Sequence, residues 1–269
     1  MPESPTQVIR RVGTERLLIP IIGTAPLIMH RWSEKARREL LESQQGKKKI
    51  KTPLDPQAEY EASSYRIEGV EVPILGRDPR TPVETHSTES QARRNAEDAE
   101  RGRDPQMAPI ETVEGPVYGF PALAFKSATV ETFRFFDKSV TKVMLQQSLY
   151  FKGVFSKSEP MSLVRIYGEP QMREDIVTVG MGTQPRYRAE FEEWRAVLDV
   201  RYVTATLDPG TVLNLIESGG MFVGVGEWRP EKSGESGTYE IDDTREVVAV
   251  QEGGDETPLE PTTAAKARR

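Results

Sequence analysis

The sequence predicts an α+β fold: a ferredoxin-like β-α-β-β-α-β core, broken by long insertions and followed by a disordered acidic C-terminal tail. Three observations carry this. Residues 16–29 (RLLIPIIGTAPLIM) form an apolar extended run. Residues 122–136 show helical spacing, with Phe125, Thr129, Phe133 and Phe136 on one stripe. Residues 194–206 alternate strictly: Trp194, Ala196, Leu198, Val200 and Tyr202 share one face, and Arg195, Val197, Asp199, Arg201 and Val203 share the other.

Each element has a local reason. The first run carries Pro20 and bends at Gly23-Thr24 before a second extended piece. Residues 32–45 read as a helix, with Ser33 as N-cap and Gly46 as stop. Residues 47–65 read as loop, and 65–75 as one weakly alternating strand. Residues 77–116 almost lack large apolar side chains and read as an insertion. Pro121 suits the first position of the main buried helix, whose aromatic stripe, Phe133 included, faces the core. Residues 139–155 are ambiguous between helix and strand, and 161–167 and 175–179 read as short strands. Asp208-Pro209 starts a short apolar helix that Gly219-Gly220 ends; strands over 221–226 and 238–241 follow, with a further strand open at 247–250. The domain reading is a core of 14–46 and 117–242, an insertion lobe at 47–116, and a tail at 243–269.

Composition narrows function. Gly included and Tyr left out, the apolar share is about 41%, under the roughly 45–50% usual for globular chains, which fits a folded body with polar insertions. No apolar run approaches the ~18 residues of a membrane span, and the start MPESPTQVIRR lacks a signal-peptide core, so a cytoplasmic protein without a membrane partner is expected. There is no cysteine, which removes disulfides, thiolate zinc sites and cysteine nucleophiles. With two histidines, His30 and His86, a multi-histidine metal site is excluded, and neither lies in a nucleophile-elbow setting.

The net charge of −6 hides strong segregation. Residues 31–51 hold eight basic and three acidic side chains, and residues 126–157 six and two. Residues 240–260 hold eight acids against Arg245, so the acidity lies in the tail and the body is neutral to basic. Charge runs are usually solvated faces. The functional alternative is two basic patches for a phosphate backbone: Arg31, Lys35, Arg38, Lys47, Lys48, Lys49 and Lys51 in the first, Lys126 and Arg134 in the second.

Catalytic patterns are weak. Gly224-Val-Gly226 lacks the third glycine of a dinucleotide loop, and Lys126-Ser127 lacks the upstream glycines of a phosphate loop. Glu190, Glu192 and Glu193 read as a solvated strand entry, and His30 as a structural or exposed histidine rather than a base. Glycines 219–237 interleave with Phe222, Trp228, Arg229, Lys232 and Tyr239; this is either a bulged hairpin that packs Trp228 into the core, or a loop whose Trp228, Arg229 and Lys232 offer stacking and phosphate contacts.

The order of elements, the helix opened by GFPALAFKSATVETFR and the segment GGMFVGVGEWRPEKSGESGTYEI resemble the RAMP superfamily, whose modified RRM-like, ferredoxin-like domains include CRISPR effector backbone subunits that polymerise along RNA. The resemblance covers residues 15–30 and 119–242 and is one of layout. It implies nucleic-acid binding without cutting, since no catalytic Asp or His of the family matches. The expectation is a non-enzymatic protein without cofactor or metal that binds single-stranded RNA or DNA, as a homo-oligomer or within a larger ribonucleoprotein assembly. The alternative is a phage or filament assembly protein that uses its insertion and tail as arms between protomers.

Overall fold

The computed structural model describes residues 12–32, 37–38, 41–42, 44–45, 54–70, 116–136, 140–179 and 182–250. The chain builds mixed α/β architecture with antiparallel sheets. The apolar opening forms β1 (Thr14–Gly23) and, past the bend, β2 (Leu27–Met29). Then come α1 (Pro56–Ser63), β3 (Tyr65–Arg66), β4 (Tyr118–Pro121), α2 (Ala122–Glu131), α3 (Lys142–Ser148), β5 (Leu149–Lys152), β6 (Val154–Phe155), β7 (Ser162–Tyr167), β8 (Gln171–Val179), β9 (Gly182–Phe191), β10 (Arg195–Val203), α4 (Pro209–Ser218), β11 (Tyr239–Ile241) and β12 (Val248–Val250).

The larger sheet runs β11-β1-β10-β7-β4-β3, with β12 also on β1, β5 also on β10 and β6 on β7. Its spine is the β1–β10 ladder, from Thr14↔Val203 to Ile22↔Arg195. Because side chains alternate across a strand, this register puts Leu17, Ile19 and Ile21 beside Val200, Leu198 and Ala196. They join Phe125 and Ala128 of α2 and Val212, Leu215 and Ile216 of α4 in one buried cluster. The second sheet, β2-β9-β8, is dominated by the long β8–β9 hairpin.

Several elements differ from the sequence reading. Residues 54–63, read as loop, hold α1: Asp55 caps it by accepting from Ala58 N, and Pro56 occupies its first turn. Helix α2 is preceded by a strand, and Pro121 is the extended residue before it rather than its first residue. It ends at Glu131 and tightens into a 3-10 turn over Thr132–Phe135. Threonine hydroxyls compete with the helical ladder there: Thr129 Oγ1 donates to Phe125 O and Thr132 Oγ1 to Thr129 O. Phe133 is consequently only half-buried, whereas Phe125 is fully enclosed. Ambiguous residues 139–155 resolve into α3, capped by Thr141, and then β5 and β6.

Gly219-Gly220 does not stop α4, and 221–226 is not a strand; Gly219–Val223 continues the helix as a π-helical turn. A Cβ on Gly220 would lie 1.9 Å from Tyr239 O, and one on Gly219 would lie 3.0 Å from Thr129 N. These glycines let α4 close onto α2 and β11. Of the helix read over 32–45, residues 37–38, 41–42 and 44 are helical, and Trp32 is outside it. Of the strand read over 65–75, Tyr65–Arg66 is extended. The insertion 77–116, apart from Pro116, and tail residues 251–269 lie outside the described residues. Strand β12, at the start of the tail segment, pairs with β1. No helix among the described residues is long and apolar enough to cross a membrane.

Phe125→Ala should cost about 3–5 kcal/mol in urea unfolding, because its enclosed ring packs edge-on against Phe120 and Tyr239. Phe133→Ala should cost only about 1–2 kcal/mol, in line with its partial burial. Equal costs would mean that the stripe is buried along its whole length.

Candidate nucleic-acid interface

The ladder that buries one face of β1 and β10 fixes the other. Opposite the helices, Arg16 lies beside Arg201, Leu18 beside Asp199, Pro20 beside Val197 and Ile22 beside Arg195. On the far side of β10, Lys152 is level with Asp199, Tyr150 with Arg201 and Tyr167 with Arg195. Alternation along β7 adds Arg165, two residues before Tyr167. Four arginines and a lysine from four strands thus share this face with two strand carboxylates, Asp199 and, level with Ile22 on β11, Glu240.

Two like charges directly opposite each other destabilise a sheet. Arg16 is held in that position by Asp199, only 3% exposed, which takes a two-pronged bond from it (Nε to Oδ1 2.6 Å, Nη2 to Oδ2 2.7 Å). Arg165 is buried, with its guanidinium 4.5 Å from the centre of the Tyr167 ring, and its Nη1 has no hydrogen-bond partner among the described residues. The middle of the face is aliphatic, since Leu18, Pro20 and Val197 are buried there. Base-sized aromatic surface lies at the flank instead, where Tyr150 is half exposed.

Of the sequence-predicted residues, Trp228 and Arg229 share one loop, and that loop docks beside β2, the strand that leads to Arg31. The glycine-rich loop docks against the end of β2: Glu227 N donates to Ile28 O, and Gly237 N to Pro26 O. A Cβ on Gly237 would lie 1.7 Å from Val225 O, so the loop closes only with glycine there, in the left-handed region at φ 69°. Trp228 sits at φ 54° and is 48% exposed, so it is not packed into the core. Arg229 is committed locally: Nε and Nη2 donate to Glu231, and Nη1 to Gly226 O. Arg31 is likewise paired with Glu159. Lys232 and Arg38 are exposed. His30 Nδ1 lies 3.6 Å from Glu227 Oε1, and this imidazole holds the Glu227 carboxyl below its ordinary value.

The basic run 126–157 is divided among elements. Lys126 Nζ donates to Gln146 O and lies over the Tyr150 ring, and burial lowers its pKa. Arg134 and Lys142 converge on Glu131, whose carboxyl is lowered first by its hydrogen bond from Lys142. Among the described residues of this run, Lys152 projects onto the arginine face. Lys35, Lys47, Lys48, Lys49 and Lys51 lie outside the described residues. Glu190, read as solvated, is half-buried in β9 and paired with Arg173.

Sequence reasoning missed the arginine face as a unit. The alternation had already set Arg195, Asp199 and Arg201 apart from the core. The missing information was the register that brings Arg16, Lys152 and Arg165 alongside them. No protein-family model matches the chain, and no curated protein matches it.

Asp199→Asn should destabilise by about 2–3 kcal/mol in denaturant titration, below the ~3–5 of a fully buried pair because Arg16 keeps some solvent contact. A neutral result would show that Asp199 does not hold Arg16 in place. For Glu227, a lowered folded pKa means stability that is present above the unfolded value and is lost as pH falls through the folded one. The advantage of wild type over Glu227→Gln at about pH 5.5 should therefore shrink as pH drops below about 4 in thermal melts.

Proposed function

We propose that this chain is a non-enzymatic, single-strand nucleic-acid-binding protein on a ferredoxin-like core. The observation that carries the reading is the arginine face: Arg16, Arg165, Arg195, Arg201 and Lys152 on one side of a sheet, with Asp199 and Glu240 as the strand carboxylates among them. Guanidinium forks suit phosphate oxygens, and a row of them positions a backbone without reading its sequence. The exposed tyrosine at the flank supplies a ring for a base.

The ferredoxin-like reading is supported by the path β11-β1-β10-β5, antiparallel throughout, with α2 between β1 and β5 in sequence and α4 between β10 and β11. A RAMP-like relationship is proposed on the same layout. Function as a phage or filament assembly protein is favoured by different surfaces: Ile176 is 75% exposed on the hairpin, and the exposed rings of Phe135 and Phe222 sit 4.7 Å apart. Sedimentation in the absence of nucleic acid separates the readings, because self-association there supports assembly.

The direct test is fluorescence anisotropy with labelled single- and double-stranded RNA and DNA across a salt series. Wild type should bind single strands with a steep salt dependence. Arg201→Gln with Lys152→Gln, both exposed positions, should lower the slope of log affinity against log salt by about 1.4, at roughly 0.7 per lost contact, without lowering the melting temperature. No binding by wild type at low salt would sink the proposal, and an unchanged slope would move the site away from this face.

A further inference from the structure

We propose that Arg165 is the seat of a single phosphate group, because the fold buries its guanidinium beside an aromatic ring and supplies no carboxylate to answer it. The choice of phosphate over other oxyanions rests on the nucleic-acid reading above, whereas the demand for an anion stands on the fold alone.

Position is the first argument. Arg165 lies in β7 between Val164 and Ile166, which both belong to the core cluster under the helices, so alternation turns Arg165 to the opposite face. There it is level with Gly119 of β4, which brings no side chain beside it. Tyr167, two residues on, holds its ring centre 4.5 Å from the guanidinium carbon. With one plane of the fork covered by a ring, the N–H edges are the part still in need of an acceptor.

Burial without a partner is the second argument. Arg165 is 9% exposed, its Nη1 has no hydrogen-bond partner, and it forms no ion pair among the described residues. Other buried charges are answered from within: Arg188 by Asp175, Asp242 by Arg245 and Asp199 by Arg16. Neither strand carboxylate of the arginine face serves Arg165. Asp199 takes the fork of Arg16, and Glu240 stands on β11, three places from β7 in the sheet. An arginine cannot escape by losing a proton, and a cation taken out of water without a partner is costly. The tyrosine face offsets part of that cost. An oxyanion arriving from solution removes the rest, since one guanidinium can give a phosphate two parallel N–H bonds. In this low-dielectric setting the contact fixes where a strand lies, while the exposed Lys152 adds attraction.

Thermal melts of the full-length protein at constant pH and ionic strength test this. The additions are inorganic phosphate, acetate, or a single-stranded oligonucleotide without terminal phosphates, whose phosphates are all diesters. At about ten times its dissociation constant, phosphate should raise the melting temperature by about 3–6 °C, and acetate should not. Arg165→Met removes an unanswered charge and keeps the bulk of the stem. In phosphate-free buffer it should melt at or above wild type, ignore phosphate and respond less to the oligonucleotide. Arg165→Lys keeps the charge without the fork and should need about tenfold more phosphate for the same rise. An Arg165→Met protein that melts well below wild type, or fails to fold, shows that Arg165 is already satisfied within the fold and overturns the inference. So does a phosphate shift that persists in that variant, an equal shift with acetate, or no shift of wild type with either phosphate source. An Arg165-dependent phosphate shift in a protein that binds no oligonucleotide upholds the seat for free phosphate and removes the function proposed above. Dependence confined to the oligonucleotide assigns the seat to the diesters of a strand.

Discussion

The pairing of β1 with β10 is the constraint from which the rest of the molecule follows. Nine register pairs join the two central strands, and β11, β12, β5 and β7 pair directly with one or the other. One face of the ladder is aliphatic and closed by α2 and α4. The other gathers arginines that no single strand would concentrate. A shift of β1 by one residue would turn Arg16 toward the core and Leu17, Ile19 and Ile21 away from it. The core therefore fixes the charged surface as firmly as it fixes itself.

Asp199 reconciles these demands. Its position is buried, and an unpaired carboxylate there would be costly. The fork from Arg16 satisfies it, and in return the carboxylate sets one arginine's geometry and relieves its repulsion with Arg201. Two acids, Asp199 and Glu240, among five cations are an arrangement suited to meeting an anion. They neutralise enough charge for folding and leave an excess for recognition.

The helix layer depends on close backbone approach. Gly219 and Gly220 carry α4 onto α2 and β11, and the resulting π-helical turn displaces Met221 and Phe222 outward, where Phe222 meets Phe135. On the hairpin, cross-strand ion pairs among Arg173, Asp175, Arg188 and Glu190 do work that apolar packing does elsewhere. That explains why β9, with Pro185 and its many charges, is hard to recognise from alternation.

The sequence by itself determined the elements whose periodicity is driven by burial. Strand β10 with its two faces, the bend between β1 and β2, the Asp208-capped α4 and the final short strands were legible because each buries a regular set of apolar side chains. Elements held by other forces were not: α1 rests on a cap and hydrogen bonds to the second sheet, such as Ser63 Oγ accepting from Ala189 N, and the turn after α4 rests on glycine contacts distant in sequence. The candidate site was half visible. Arg195 and Arg201 were on the polar face of a recognisable strand, but runs of basic residues drew attention to Lys126 and Arg134, which the tertiary structure commits to Gln146 O and Glu131. Charge along a chain is a one-dimensional sum. A binding face is made by strand register, which joins residues 16, 152, 165, 195 and 201 through hydrogen bonds that no local pattern encodes.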